Sequence, residues 1–376
     1  MSYSIRPRPE VEGLQSAVHG GPNRRELGIL GFESRKVLDF SVNTNPLGPS
    51  PVALAALSSV EVGTYPDPDA TELCQALARQ LSVPVESVIA GNGSVELLWL
   101  LALAYLRAGD RVLIVGPTFG EYEVAARLMG AEVRIYRAES DADFQPDIAE
   151  VCRQIRTTAP RLVFLCNPNN PTGVYLPQSA VEEILEAIED GLLVLDEAYI
   201  GFVEGGWNSI PLALGRNVVV LRSMTKDYAL AGLRLGYVVA HPEVTRILRR
   251  VRPPWNVNAA AQVAGLASLS DGMHLARGRA AVAAALVFLR AGLHRLGFRV
   301  LPTAANFFLV EVGDATALYA HLLARSIRVR DCTSFGLPAY VRIAARPLAE
   351  CEELLAAIAA LKWPGCHGQE SQGGHR

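Results

Sequence analysis

The segment Val218-Val-Val-Leu-Arg-Ser-Met-Thr-Lys-Asp227 sets the reading of the chain: four apolar residues run into a polar turn that holds a lysine. A run this short and this apolar suits a strand buried on both faces. Four more runs read the same way: Arg111-Val-Leu-Ile-Val115, Glu132-Val-Arg-Ile-Tyr136, Leu162-Val-Phe-Leu165 and Leu192-Leu-Val-Leu195. Helical patterns lie between them at 95–107, 121–129 and 179–189, the last with Val181, Ile184 and Leu185 on one face. Alternating strands and helices imply a mostly parallel α/β sheet covered by helices on both sides. Ligands of such sheets bind beyond the carboxyl ends of the strands, so the residues after each run carry the interest.

Past residue 278 the pattern changes. An Ala/Leu/Arg-rich helix over 278–296 precedes strand-like 298–301, 307–312 and 340–343, with helices near 315–325 and 348–361. The reading predicts a large domain over 51–264 and a smaller α+β domain built from 1–50 and 265–362. The polar, Gly-rich stretch 363–376 reads as a disordered tail.

Composition narrows the function. The 376 residues carry 35 Lys plus Arg against 38 Asp plus Glu, a formal charge of -3. That balance argues against nucleic acid, whose binding shows as a basic excess. The N-terminus has no signal-peptide run, and the apolar stretch Leu97–Leu106 is far short of the roughly 20 residues that span a bilayer. A cytoplasmic protein away from membranes is expected. Six scattered cysteines, with no CxxC pair and no histidine at ligand spacing, predict neither a zinc site nor disulfides. Only Lys36, Lys226 and Lys362 are lysines, the other 32 basic residues being arginine. A lysine kept in such a chain is a place to look for amine chemistry.

The strand ends supply that chemistry. Leu165 is followed by Cys166-Asn-Pro-Asn-Asn-Pro-Thr-Gly173, Leu195 by Asp196-Glu-Ala-Tyr199, and Leu221 by the lysine turn and Gly232-Leu-Arg-Leu-Gly236. Singly, each has an ordinary reading as a cap, a loop or a solvated charge. Together, with Ser223 three residues before Lys226 and Arg234 eight after it, they resemble the fold-type-I pyridoxal-phosphate enzymes of the aspartate-aminotransferase superfamily. The resemblance runs from about residue 38 to about 360. It implies a large domain with a seven-stranded, mostly parallel sheet, a smaller α+β domain, and pyridoxal 5'-phosphate as cofactor.

By that resemblance Lys226 holds the cofactor as a Schiff base, a task arginine cannot perform. Asp196 pairs with the pyridine nitrogen, Asn170 and Tyr199 bond the phenolic oxygen, and Phe119 stacks on the ring. The phosphate falls to Gly93, Ser94 and Val95 at a helix start, with Ser223 and Arg234. As a bare glycine pattern, Gly91-Asn-Gly93 fits a nucleotide equally well. Tyr65, in Thr64-Tyr-Pro-Asp-Pro68, matches the superfamily tyrosine that reaches the neighbouring subunit's cofactor, which implies a homodimer with shared active sites.

The substrate is expected to be a small phosphorylated amino compound. Arg342 and Arg330 are the candidate clamps, with Asn45 and His19 as further substrate-binding residues. Four segments are similar to threonine-phosphate decarboxylases of cobalamin synthesis: His19-Gly-Gly21, Leu38–Gly48, Tyr65-Pro-Asp-Pro68 and Arg330-Asp-Cys-Thr-Ser-Phe-Gly-Leu337. They imply decarboxylation of O-phospho-L-threonine to (R)-1-aminopropan-2-ol phosphate. The alternative is a histidinol-phosphate aminotransferase of histidine biosynthesis. Asp227 departs from the decarboxylase pattern, where an aromatic residue follows the lysine, and Arg346 reads as an exposed charge or a second anion ligand.

Overall fold

The computed structural model describes residues 5–21, 28, 37–361 and 363. Lys36, Lys362 and Cys366 lie outside the described residues, as does the predicted tail beyond Trp363. Trp363 itself packs into a core, its Nε1 donating to the Val312 carbonyl at 2.8 Å.

After a two-residue strand β1 (Leu38–Asp39), the main sheet is built from β2 (Val88–Asn92), β3 (Arg111–Gly116), β4 (Glu132–Arg137), β5 (Leu162–Cys166), β6 (Leu192–Asp196), β7 (Val218–Ser223) and β8 (Leu235–Ala240). Their order is β2-β8-β7-β6-β5-β3-β4. The five strands expected from sequence, β3 to β7, are mutually parallel. β8 runs antiparallel to both of its neighbours.

Why the runs are apolar without alternation is visible in the layers. Val163, Leu165, Leu193 and Leu195 face one core, against helices Thr71–Leu81, Ile148–Thr158, Gln178–Glu186 and Ala259–Leu269. Leu162, Phe164, Leu192 and Val194 face the opposite core, under helices Gly93–Tyr105, Glu121–Leu128 and Pro242–Val251. Successive side chains of a strand point to opposite faces, so both parities must be apolar.

A second sheet has β9 (Arg299–Val300), β10 (Phe307–Glu311), β12 (Arg330–Asp331) and β13 (Tyr340–Ala344) in the order β12-β13-β10-β9, all antiparallel. β11 (Ile327–Arg328) pairs in parallel with β1, which ties the early chain to the C-terminal segments. Phe40, Leu289, Phe308, Val341 and Ile358 share its core. Helix Gly272–Arg295 begins six residues before the expected start, where the Asp271 carboxylate caps the His274 amide at 3.1 Å. It is the one helix among the described residues long and apolar enough, by length and composition, to cross a membrane. Its Val282, Leu289 and Leu293 pack into this core.

Candidate active site

Strand order and direction collect the site. β5, β6 and β7 end at Cys166, Asp196 and Ser223, and register sets Cys166 beside Asp196. Because β8 is antiparallel, its start just after Arg234 lies at the same edge. β2 delivers the start of helix Gly93–Tyr105 there too. At this edge opens a cavity of about 360 Å³ lined by Ser94, Val95, Phe119, Asn170, Asp196, Tyr199, Ser223, Lys226 and Arg234. His19, Arg330 and Arg342 close it from the other side.

Three expected residues do not line the cavity. Gly93 sits behind Arg234, with a positive φ of 77° and no room for a Cβ, which would stand 2.8 Å from an Arg234 Nη. Asn45 lies under the lysine loop: its backbone amide donates to the Lys226 carbonyl at 2.8 Å and its Nδ2 to the Asp227 carbonyl at 3.0 Å. Tyr65 is 79% exposed and stacks on Trp255 at 4.5 Å.

The floor of the cavity is a tuned charge pair. Burial lowers the Lys226 amine to about 8, helped by the positive charges of Arg342 and Arg234 and opposed by Asp196. Burial pushes the Asp196 carboxyl up to about 6, although Tyr122, the Ala198 amide and Lys226 all pull it down. Such a lysine supplies a neutral nucleophilic amine at mildly alkaline pH, and such a carboxylate wants a cationic partner. Tyr199, under the Lys226 ammonium at 5.8 Å, accepts from Asn43 Nδ2 at 3.2 Å. Burial pushes its phenol up to about 12.

At one end the groups suit a dianion. The helix start at Gly93–Tyr105 presents free amide donors beside Ser94. Ser223 Oγ stands 2.7 Å from Thr225 Oγ1, and Arg234 adds a guanidinium from a left-handed backbone position, φ 59°. A Cβ on Gly236 would fall 2.5 Å from the Ser94 amide nitrogen, so that glycine lets the helix start press against β8.

The opposite wall is cationic. Arg342 is buried, donates to Asn170 Oδ1 and to the Ser41 carbonyl at 2.8 Å, and lies over the Phe307 ring. Arg330 donates to the Val18 carbonyl at 2.8 Å and Ser334 Oγ at 2.6 Å. His19 Nε2 meets Glu121 Oε1 at 2.7 Å, and that hydrogen bond holds the Glu121 carboxyl below its ordinary range. Arg346 is engaged with Glu350 at 2.8 Å and does not line the cavity. Asp227 is tucked against Gly201, and burial pushes its carboxyl up to about 7.

Sequence reasoning missed Tyr122, Asn43, Ser41 and Thr225, which line the same cavity. Tyr122 had a signal: it follows Phe119 by three residues at the start of a helix, which puts both on one side of the turn. Asn43 and Ser41 lie in the Leu38–Gly48 segment, whose resemblance was the one signal they had. Asn43 Oδ1 and Arg342 Nε are buried without a hydrogen-bond partner. An amine, a buried carboxylate, a ring face and a dianion cradle around one volume fit an aromatic aldehyde that carries a phosphate. Among the described residues no cluster of His, Cys, Asp and Glu suits a metal.

Comparison with known proteins agrees with this chemistry. Residues 35–358 match the family model described as aminotransferase class I and II. The histidinol-phosphate aminotransferase of Moorella thermoacetica is 39% identical over 347 residues, 89% of this chain and 88% of the relative. The histidinol-phosphate aminotransferase of Sinorhizobium meliloti, solved in complex with pyridoxal 5'-phosphate, shares the fold with a TM-score of 0.86 at 24% identity, covering 96% of this chain and 99% of that one. The L-threonine-O-3-phosphate decarboxylase of Porphyromonas gingivalis superposes with a TM-score of 0.75 at 29% identity, over 86% and 99% of the two chains.

The decarboxylase expectation is thereby corrected. The stronger similarity, 39% over nearly the whole of both chains, is to an aminotransferase. Three of the four segments that suggested decarboxylation line the cavity, and the groups they bring that suit an anion, His19 and Arg330, are ones a phosphate-bearing substrate needs whichever bond is broken. The seven-stranded sheet is that of the fold-type-I enzymes, and the cofactor is pyridoxal 5'-phosphate. The chain belongs to the class I and II aminotransferase family.

Proposed function

We propose that the protein is a histidinol-phosphate aminotransferase, moving the amino group of histidinol phosphate to 2-oxoglutarate. The observation that carries this reading is the 39% identity to the Moorella enzyme over 89% of this chain. The wall formed by the Arg330 and Arg342 guanidinium groups with the His19 imidazole supports a phosphorylated, and alternately a carboxylate-bearing, substrate in one cavity.

Bound pyridoxal phosphate supplies an aldehyde carbon for the amine and a ring that withdraws electrons from the substrate carbon. Lys226 Nζ holds that carbon at rest. When free, that amine would be a base of suitable strength to carry a proton, since burial lowers its pKa to about 8. Asp196 would pair with the pyridine nitrogen and keep it protonated. Asn170 and Tyr199 bond the phenolic oxygen, and Phe119 covers one ring face. Ser94, Ser223, Arg234 and the amides after Gly93 take the phosphate.

Arg342 takes the carboxylate of the keto acid, and Arg330 with His19 the substrate phosphate. Asn45 acts indirectly, by fixing the carbonyls of Lys226 and Asp227. The chain divides into a large domain at 51–264 and a small one from 1–50 and 265–362, supported by the separate cores of the two sheets. It works as a homodimer in which Tyr65 completes the neighbouring site, supported by that tyrosine's exposure.

The test is direct. Protein loaded with cofactor should form glutamate from 2-oxoglutarate only when histidinol phosphate is added. Absence of glutamate from the loaded, folded protein would refute the assignment.

A further inference from the structure

We propose that Tyr122 is a positioning residue for the cofactor's pyridine nitrogen, acting through Asp196. The proposal rests on the reading that Asp196 pairs with that nitrogen. Tyr122 Oη donates to Asp196 Oδ2 at 2.7 Å, while the Ala198 amide donates to Oδ1 at 2.9 Å. One donor on each oxygen fixes the plane of the carboxylate and leaves one lone pair on each free for the cavity. The tyrosine cannot swing away: it is fully buried, stacked on Phe164 at 5.0 Å and 7°, with Phe119 edge-on at 5.7 Å.

The other ionisable groups around Asp196 do not compete for Oδ2. Burial keeps both the Tyr122 phenol and the Cys166 thiol protonated, and the thiol donates to the Pro168 carbonyl at 3.2 Å. Glu197 turns away to Arg222 at 2.8 Å, and Tyr199 is engaged by Asn43. Lys226 faces the cavity. Tyr122 is thus, among the described residues, the side chain that donates a hydrogen bond to the carboxylate. Its donation lowers the affinity of Asp196 for a proton, which keeps the shared proton on the ring nitrogen. Without it the proton moves toward the carboxylate and the ring withdraws electrons less strongly.

Tyr122→Phe keeps the ring stack and removes only the hydroxyl. Holoenzyme loaded with cofactor labelled with ¹⁵N in the ring should show, in this variant, a ring-nitrogen resonance displaced toward the unprotonated position. Its kcat should fall roughly tenfold, the scale of one hydrogen bond to a charged group, with KM little changed. Should the variant fold poorly, 3-fluorotyrosine at position 122, a stronger donor, should displace the resonance the opposite way. Asp196→Asn is the reference. If Asp196→Asn leaves the resonance in place, the pairing of Asp196 with the ring is wrong and the proposal falls with it. If Asp196→Asn moves the resonance and neither change at Tyr122 does, the proposal alone is overturned.

Discussion

Asp196 shows what single residues contribute here, and at what cost. Its carboxyl is pushed up to about 6 by burial in the protein without cofactor. A carboxyl whose folded pKa exceeds its unfolded value adds stability only below the unfolded value, and loses it as pH rises through the folded one. Above about pH 6 the cofactor-free protein therefore carries a penalty, on the order of 2–3 kcal/mol for a shift of about two units. Asp196→Asn should make the cofactor-free protein more stable at about pH 8, with the gap closing below about pH 4. With cofactor bound the order should reverse, because the pyridine cation is gained only by the carboxylate. Urea unfolding at the two pH values measures this, and a cofactor-free variant less stable at the higher pH would contradict it. Lys226 and Asp196 were legible in sequence because each stands at or just beyond the end of an apolar run, where a charge is costly without a partner. Tyr122 and Asn43 were not. Their partners lie 74 and 156 residues away, so neither Phe119 three residues before Tyr122 nor the Leu38–Gly48 segment around Asn43 reveals the contact itself.

Among elements, the meeting of helix Gly93–Tyr105 with β8 governs the phosphate end. Sequence alone gave five parallel strands and missed β2 and β8, since Gly91 and Gly236 interrupt their apolar runs. Those two glycines face each other across the β2–β8 pair. They are there for the approach they permit: beyond the Ser94 amide, a Cβ at Gly236 would meet the Gly93 carbonyl carbon at 2.9 Å and the Arg222 oxygen at 3.0 Å. All three obstacles are backbone, so the helix start must move. Gly236→Ala should cost about 1–3 kcal/mol of stability and weaken cofactor retention at least roughly tenfold, by misaligning the amides that face the phosphate. Dialysis against cofactor-free buffer checks the second effect; unchanged retention would show that the amides are not used.

For the whole molecule, Tyr65 raises the question of a neighbouring subunit. Tyr65 and Trp255 form an exposed stack, outside the cavity that holds most of the other expected residues. If Tyr65 serves the neighbouring subunit, two inactive variants should repair each other. Tyr65→Ala mixed after unfolding with Lys226→Ala should yield heterodimers with one intact site, and about a quarter of full activity in an equal mixture. No recovery, with dimers present, would place Tyr65 outside the shared site. The broad fold was legible because strand and helix periods alternate, and the second sheet because its pattern changes past residue 278. The reaction was not legible, since groups that bind a phosphate say nothing about which bond at the substrate carbon breaks.

That bond is the central claim, and a half-reaction isolates it. Histidinol phosphate added alone to cofactor-loaded protein should convert the visible spectrum of the bound cofactor to that of its amine form, one equivalent per site. 2-Oxoglutarate added next should restore the original spectrum and release an equal amount of glutamate. Catalytic consumption of histidinol phosphate without any keto acid, or a spectrum that 2-oxoglutarate does not restore, would contradict the assignment.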